Sequence, residues 1–159
     1  NMSNLSITTL AVSAIIVDTV IGYYLLITKR GGKYIKEWYK NFTIGAYVMD
    51  ILSIVIGTYI ATRLTNNFYH QIILVVIVGL IHDLSFGFFL NRSGIRTPVL
   101  NLFKNYADEL GATILLVDAL MLVSTIVLGY FLKEKLSKDN IIFSGIFTMY
   151  FGLLMIYSF

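Results

Sequence analysis

Four aspartates stand inside apolar sequence: Asp18, Asp50, Asp83 and Asp118, one in each of the first four hydrophobic runs of this 159-residue chain. An ionised carboxylate at the centre of a hydrocarbon-spanning helix costs about 2.5–3.5 kcal/mol on insertion scales. Such a group must be protonated, hydrogen-bonded to Tyr, Thr, Ser or the neighbouring His82, or matched by a cation. No lysine or arginine lies mid-run to neutralise them. Two chemistries follow. The aspartates form a proton or cation site, or they act as interhelical contacts that fix the helices' register.

Other chemistries lack their residues. With no cysteine in the chain, disulfides, thiolate catalysis and Cys-ligated metals are excluded. His82 and Asp83 invite a metal reading, but neighbours on a helix point about 100° apart, and His70, the other histidine, sits at a run's end. No Gly-x-Gly-Asp motif, phosphate loop, nucleophile elbow or mid-run lysine occurs. No catalytic residue, metal site or cofactor is assigned. The net charge of +3 is small, and the basic residues cluster at the ends of apolar runs. That distribution suits lipid headgroups, not nucleic acid.

The elements that must position the aspartates are long helices. The chain is 57% hydrophobic and 13% charged, with a mean hydropathy of +0.79, too apolar for a water-facing surface. Five runs, 5–28, 42–62, 71–90, 112–132 and 141–159, reach the roughly 20 residues that span hydrocarbon as a helix. In lipid, backbone groups must be paired within the segment, which favours helices. The stretch 99–111 is too polar to span and reads as an interfacial helix, with Leu100, Phe103 and Leu110 against the membrane boundary. The first loop holds Lys29, Arg30, Lys33, Lys36 and Lys40, and the third holds Arg92, Arg96 and Lys104. The second has Arg63, and the fourth has Lys133, Lys135 and Lys138. This excess places the first and third loops on the cytoplasmic side or its equivalent, with the N-terminus opposite. Trp38, Tyr39, Tyr23, Tyr24, Tyr59 and Tyr130 fall near run ends, where they read mainly as interfacial anchors. Asn1-Met2-Ser3, Asn4-Leu5-Ser6, Asn41-Phe42-Thr43 and Asn91-Arg92-Ser93 match the glycosylation triplet, the last two on the predicted inner side.

Two patterns tie the runs together. Asp18-x-x-x-Gly22-Tyr23-Tyr24-Leu25 is echoed by Asp83-x-x-x-Gly87-Phe88-Phe89-Leu90. Tyr39-Lys40-Asn41 is echoed by Phe103-Lys104-Asn105, Gly45-Ala46 by Gly111-Ala112, and Asp50 by Asp118. The order predicts a duplicated two-helix unit related by an axis along the membrane normal. The aspartates also share helix faces with small residues: Gly22, Gly57, Gly79, Gly87 and Gly129 mark packing seams. Counted from the inner ends of the runs, the four acids fall in one layer, about 9–15 Å deep. In the fifth run, Ser144, Thr148 and Gly152 form a further small-residue stripe, suited to packing on the bundle or another subunit.

The stretch from His82-Asp83 through Phe103-Lys104-Asn105-Tyr106-Ala107-Asp108-Glu109-Leu110-Gly111 to Asp118 resembles small polytopic membrane proteins encoded by large DNA viruses. The resemblance covers the second half of the chain and carries no catalytic signature. It implies residence in a host membrane or in the lipid layer beneath a capsid. The expected fold is an all-α integral membrane protein: a pseudo-two-fold four-helix transmembrane bundle with a fifth, peripheral helix. The expected function is non-enzymatic, as a structural or assembly component of such a membrane. The expected partners are the bilayer, other virion or membrane proteins, or a second copy of the chain. The alternative is a proton- or cation-conducting protein using the aspartate layer.

Overall fold

The computed structural model of the chain describes residues 4–158, and the first glycosylation triplet lies outside them. Among the described residues the chain forms α1 (Ile7–Thr28), α2 (Gly32–Leu64), α3 (Phe68–Arg92), α4 (Pro98–Leu110), α5 (Thr113–Lys135) and α6 (Lys138–Ile156). All but α4 are long and apolar enough to cross a membrane. The five predicted runs each fall on one long helix and the predicted interfacial segment on α4, although Phe159 lies outside the described residues. Short polar side chains start four of these helices. Ser6, Asn67, Thr97 and Ser137 each accept a hydrogen bond from the backbone N–H three residues on, satisfying a donor the helix leaves open.

One boundary differs from the sequence reading. The second run was expected to begin at 42, yet α2 starts at Gly32 and breaks at Thr43, with φ 46° and ψ −122°. Its first segment, 32–42, is amphipathic. Ile35, Trp38, Tyr39 and Phe42 follow the i, i+3, i+4, i+7 spacing of a buried stripe and join the core. A basic loop therefore conceals a helix that lies outside the apolar run. The Asn41 glycosylation triplet falls at this break, inside α2.

Glu109, near the end of α4, caps this segment from a distance. Its carboxylate accepts from Lys33 N at 2.9 and 3.0 Å and from Tyr34 N at 3.3 Å, where Gly31 offers no side-chain cap. A carboxylate there also meets the positive end of the helix dipole. Gly32 is required, because its φ of +74° suits glycine and a Cβ would strike the Glu109 carboxylate.

α1 packs against α2, α5 and α6, while α3 packs against α2, α5 and α4. α2 and α5 touch across the centre, and among the described residues α1 and α3 do not meet. Leu122 of α5 is the central knob, reaching the spaces left by Gly57 of α2 and Gly79 of α3. Leu5 fills the space at Gly129. Gly87 is a correction: nothing lies within 4 Å of where its Cβ would be, so it faces away from every seam of this chain. α6 lies along α1, with Val12 against Gly145 and with Thr19 and Tyr47 against Gly152. Its small-residue face therefore packs on its own bundle. α4 is also corrected. Leu102 is buried, and Phe103 packs on Trp38 and Phe86, with ring centroids 4.7 and 5.5 Å apart. Protein thus packs on Phe103, while Leu100 and Leu110 are half-buried.

The outward faces are apolar. Ile73, Ile77, Ile81, Leu84 and Phe88 form an exposed stripe on α3, and Phe143, Ile146, Phe147 and Tyr150 one on α6. At the end opposite α4, Gln71 is fully buried and satisfied, donating to Thr65 O at 2.8 Å and accepting from Tyr130 Oη at 2.9 Å.

Thr43 is β-branched and holds a backbone conformation that glycine adopts freely. Thr43→Gly is therefore expected to stabilise the protein by about 1 kcal/mol, read as a higher thermal midpoint in detergent; a lower midpoint would show the break to be unstrained. Gly79→Val is expected to cost about 1–3 kcal/mol by over-packing against the buried Leu122, whereas Gly87→Ala should be neutral or stabilising.

Candidate functional site

On a straight helix, residues 38 and 50 would lie about 18 Å apart along the axis. The break at Thr43 folds the first segment of α2 back, so that two of its side chains reach the acid beyond the break. Trp38 Nε1 donates to the Asp50 carboxylate oxygens at 3.1 and 3.3 Å, and Tyr39 Oη donates to Oδ2 at 2.9 Å. Trp38 and Tyr39 are 4% and 2% exposed. The indole is held between the rings of Phe42 and Phe103, at 4.9 and 4.7 Å. The sequence reading took both residues for interfacial anchors. Their helical spacing with Ile35 and Phe42 was the signal that they face inward.

Asp18 stands beside this group on α1. The Tyr39 hydroxyl comes within 3.5 Å of where a Cβ on Gly22 would lie, so the absent side chain admits the phenol against α1, one turn from Asp18. The charges of Asp18 and Asp50 are close enough to interact. Asp18 is 1% exposed, and its Oδ2 is buried with no hydrogen-bond partner. One turn is therefore satisfied by neutral donors, and the adjacent acid is left with an open oxygen.

Asp118 and Asp83 lie on the other side. The charge of Asp118 interacts with those of Asp83, Asp50 and His82. Asp83 Oδ1 lies 3.0 Å from His82 Nδ1, and the histidine side chain is 65% exposed against 16% for the aspartate. His82 also stacks on Phe86 with an interplanar angle of 10°. Here Phe103 occupies the place in the motif that Tyr39 holds in the first half, and a phenyl ring cannot donate. Tyr106 of α4 is the nearby hydroxyl. Burial first, and then the charges of Asp118, Asp50 and Glu109, push its phenol above the ordinary tyrosine value, keeping it a protonated donor.

All four aspartates thus belong to one electrostatic neighbourhood, with Asp50 linking the α1 and α5 sides. They are unequal: Asp18 is sealed, and Asp50, Asp83 and Asp118 are part-exposed. Among the described residues no three His, Asp or Glu side chains converge to hold a metal ion. Gly22, Gly57 and Gly79 sit at close approaches on the aspartate-bearing helices, Gly129 at one nearer the opposite end of the bundle beside Leu5 and Ser13, and Gly87 at none. Tyr39, Trp38, Tyr106 and Glu109 are the participants that motif matching did not single out as site residues.

Replacing Asp50 by leucine leaves two buried donors without acceptors, and Asp50→Leu is expected to cost about 3 kcal/mol. Tyr39→Phe should cost about 1–2 kcal/mol. Trp38 is the one tryptophan in the chain, so its emission reports directly on this group. The emission maximum should shift in Asp50→Leu and stay in place in Asp83→Leu. Equal spectra in the two variants would place Asp50 outside the indole's surroundings.

No family model matches the chain, and no curated protein or solved structure is found to be similar to it.

Proposed function

We propose that this chain is a non-enzymatic multi-pass membrane protein with a structural or assembly role, in the lipid layer of a viral capsid. The observation that carries the structural reading is the fate of Asp50. Its carboxylate is engaged by Trp38 and Tyr39 of its own helix, so it fixes a bend in the fold. The exposed apolar stripes of α3 and α6 support residence in a bilayer, where such faces are solvated by acyl chains. The basic residues of the first and third loops support a cytoplasmic or equivalent placement of that end, with the N-terminus opposite. The viral assignment draws on the resemblance of the His82–Asp118 stretch.

The same reading takes the bundle as two copies of one unit. Thr43 (φ 46°, ψ −122°) and Gly111 (φ 53°, ψ −133°) share an unusual backbone conformation. Each follows an amphipathic segment, and each precedes an aspartate by seven residues, Asp50 and Asp118. The contacts also correspond: α1 meets α2 and α5, and α3 meets α5 and α2.

A second reading, passage of protons or cations along Asp18, Asp50, Asp83 and Asp118 beside His82, is favoured by the unpartnered Asp18 Oδ2. Flux into proteoliposomes separates the two. Under the structural reading, loaded vesicles show no proton or cation flux above protein-free ones. Flux that Asp18→Asn or Asp83→Asn abolishes would replace the structural reading with the transport one.

Orientation has its own test. The chain lacks cysteine, so Arg96→Cys and Asn66→Cys introduce single labelling sites. An impermeant maleimide is expected to reach them from opposite faces of a sealed membrane. Labelling from the same face would refute the topology.

A further inference from the structure

Two clefts of 270 and 420 Å³ run between α1 and α5 and share Val20 and Ile21 in their walls. Together they follow α1 from Ile16 to Leu25, a length of about 14 Å. The walls are almost wholly apolar, apart from Ser124 in the first cleft and Arg30, Thr113 and the Tyr24 hydroxyl at the far end of the second. None of the four aspartates lines either cleft. An open apolar groove with a guanidinium at one end matches a molecule with a hydrocarbon tail and an anionic head.

The head end is built. Arg30 Nη1 donates to Tyr24 Oη at 2.7 Å, and the guanidinium carbon lies 5.9 Å from that ring's centroid. Tyr24 therefore holds the guanidinium at the rim. A guanidinium carries five N–H donors in a fork that fits phosphate oxygens, and the bond to Tyr24 takes one of them. Thr113, the first residue of α5, lines the same end of the cleft. This is also the end of the bundle that gathers the basic first and third loops. Anionic lipid is enriched in the leaflet that faces such loops.

We infer that the α1–α5 groove is a site for one acidic glycerophospholipid, with an acyl chain along Ile16, Val20, Ile21 and Leu120 and the phosphate at Arg30 and Thr113. The inference rests on residence in a bilayer and is indifferent to whether the aspartates conduct, so flux measurements and lipid binding fail independently.

The test is native mass spectrometry of the full chain in neutral detergent. It is titrated with phosphatidylglycerol or phosphatidylcholine of identical acyl chains. One phosphatidylglycerol should be retained per chain, with about fivefold preference over phosphatidylcholine for the single arginine contact. Arg30→Gln should remove the preference. Leu120→Trp, at a position 57% exposed to the surroundings and therefore safe for folding, should fill the groove and lower retention of both lipids. Glycerol 3-phosphate, which lacks acyl chains, should not displace the lipid. Equal retention of the two lipids, an unchanged preference in Arg30→Gln, full retention in Leu120→Trp, or displacement by glycerol 3-phosphate would each overturn the site.

Discussion

A carboxyl group within an apolar helix must find its hydrogen bonds inside the protein, because the surrounding hydrocarbon supplies none. Here that requirement is met at Asp50 by bending the helix that carries it. Trp38 and Tyr39 lie twelve and eleven residues before Asp50 in the same helix, too far to reach it along a straight rod. The unusual backbone at Thr43 brings them back. Much else follows from that fold-back. It buries the indole against Phe103 of α4, and it sends the Tyr39 phenol toward α1 at Gly22. It also leaves the start of α2 to be capped by Glu109. One acid's demand for donors thereby connects α1, α2 and α4.

The remaining aspartates show what happens when the same demand is met less fully. In the second half Phe103 replaces the phenol, and the acids turn instead to His82 and to the neighbourhood of Tyr106. Asp18 has an oxygen with no donor at all. It is the feature that keeps proton or cation chemistry in view beside the structural reading.

The two ends of the bundle are chemically distinct. One closes with the neutral buried contact of Gln71, Thr65 and Tyr130. The other carries α4, the amphipathic start of α2 and most of the basic residues. That second end is also where the groove between α1 and α5 opens beside Arg30. Electrostatic and packing asymmetry coincide, so the end suited to anionic headgroups is also the end with a groove to receive a tail.

Helix number, the long spans and the existence of α4 were legible in the sequence, because apolar run length and turn residues act locally and each run must satisfy its own backbone. That four acids would need partners inside the protein was legible too, since Asp18, Asp50, Asp83 and Asp118 each stand in an apolar run. The segment 32–42 was hidden by its lysines, although Ile35, Trp38, Tyr39 and Phe42 carried the helical period. Tertiary structure alone decided that Trp38 and Tyr39 turn inward to Asp50, that Glu109 caps a helix more than seventy residues earlier, and that Gly87 faces no neighbour while Gly79 receives Leu122. Those outcomes depend on which faces meet after the chain bends, and a bend at a threonine leaves no local signature. Composition and period determine what each helix is; only the packed bundle determines which donor each acid finds.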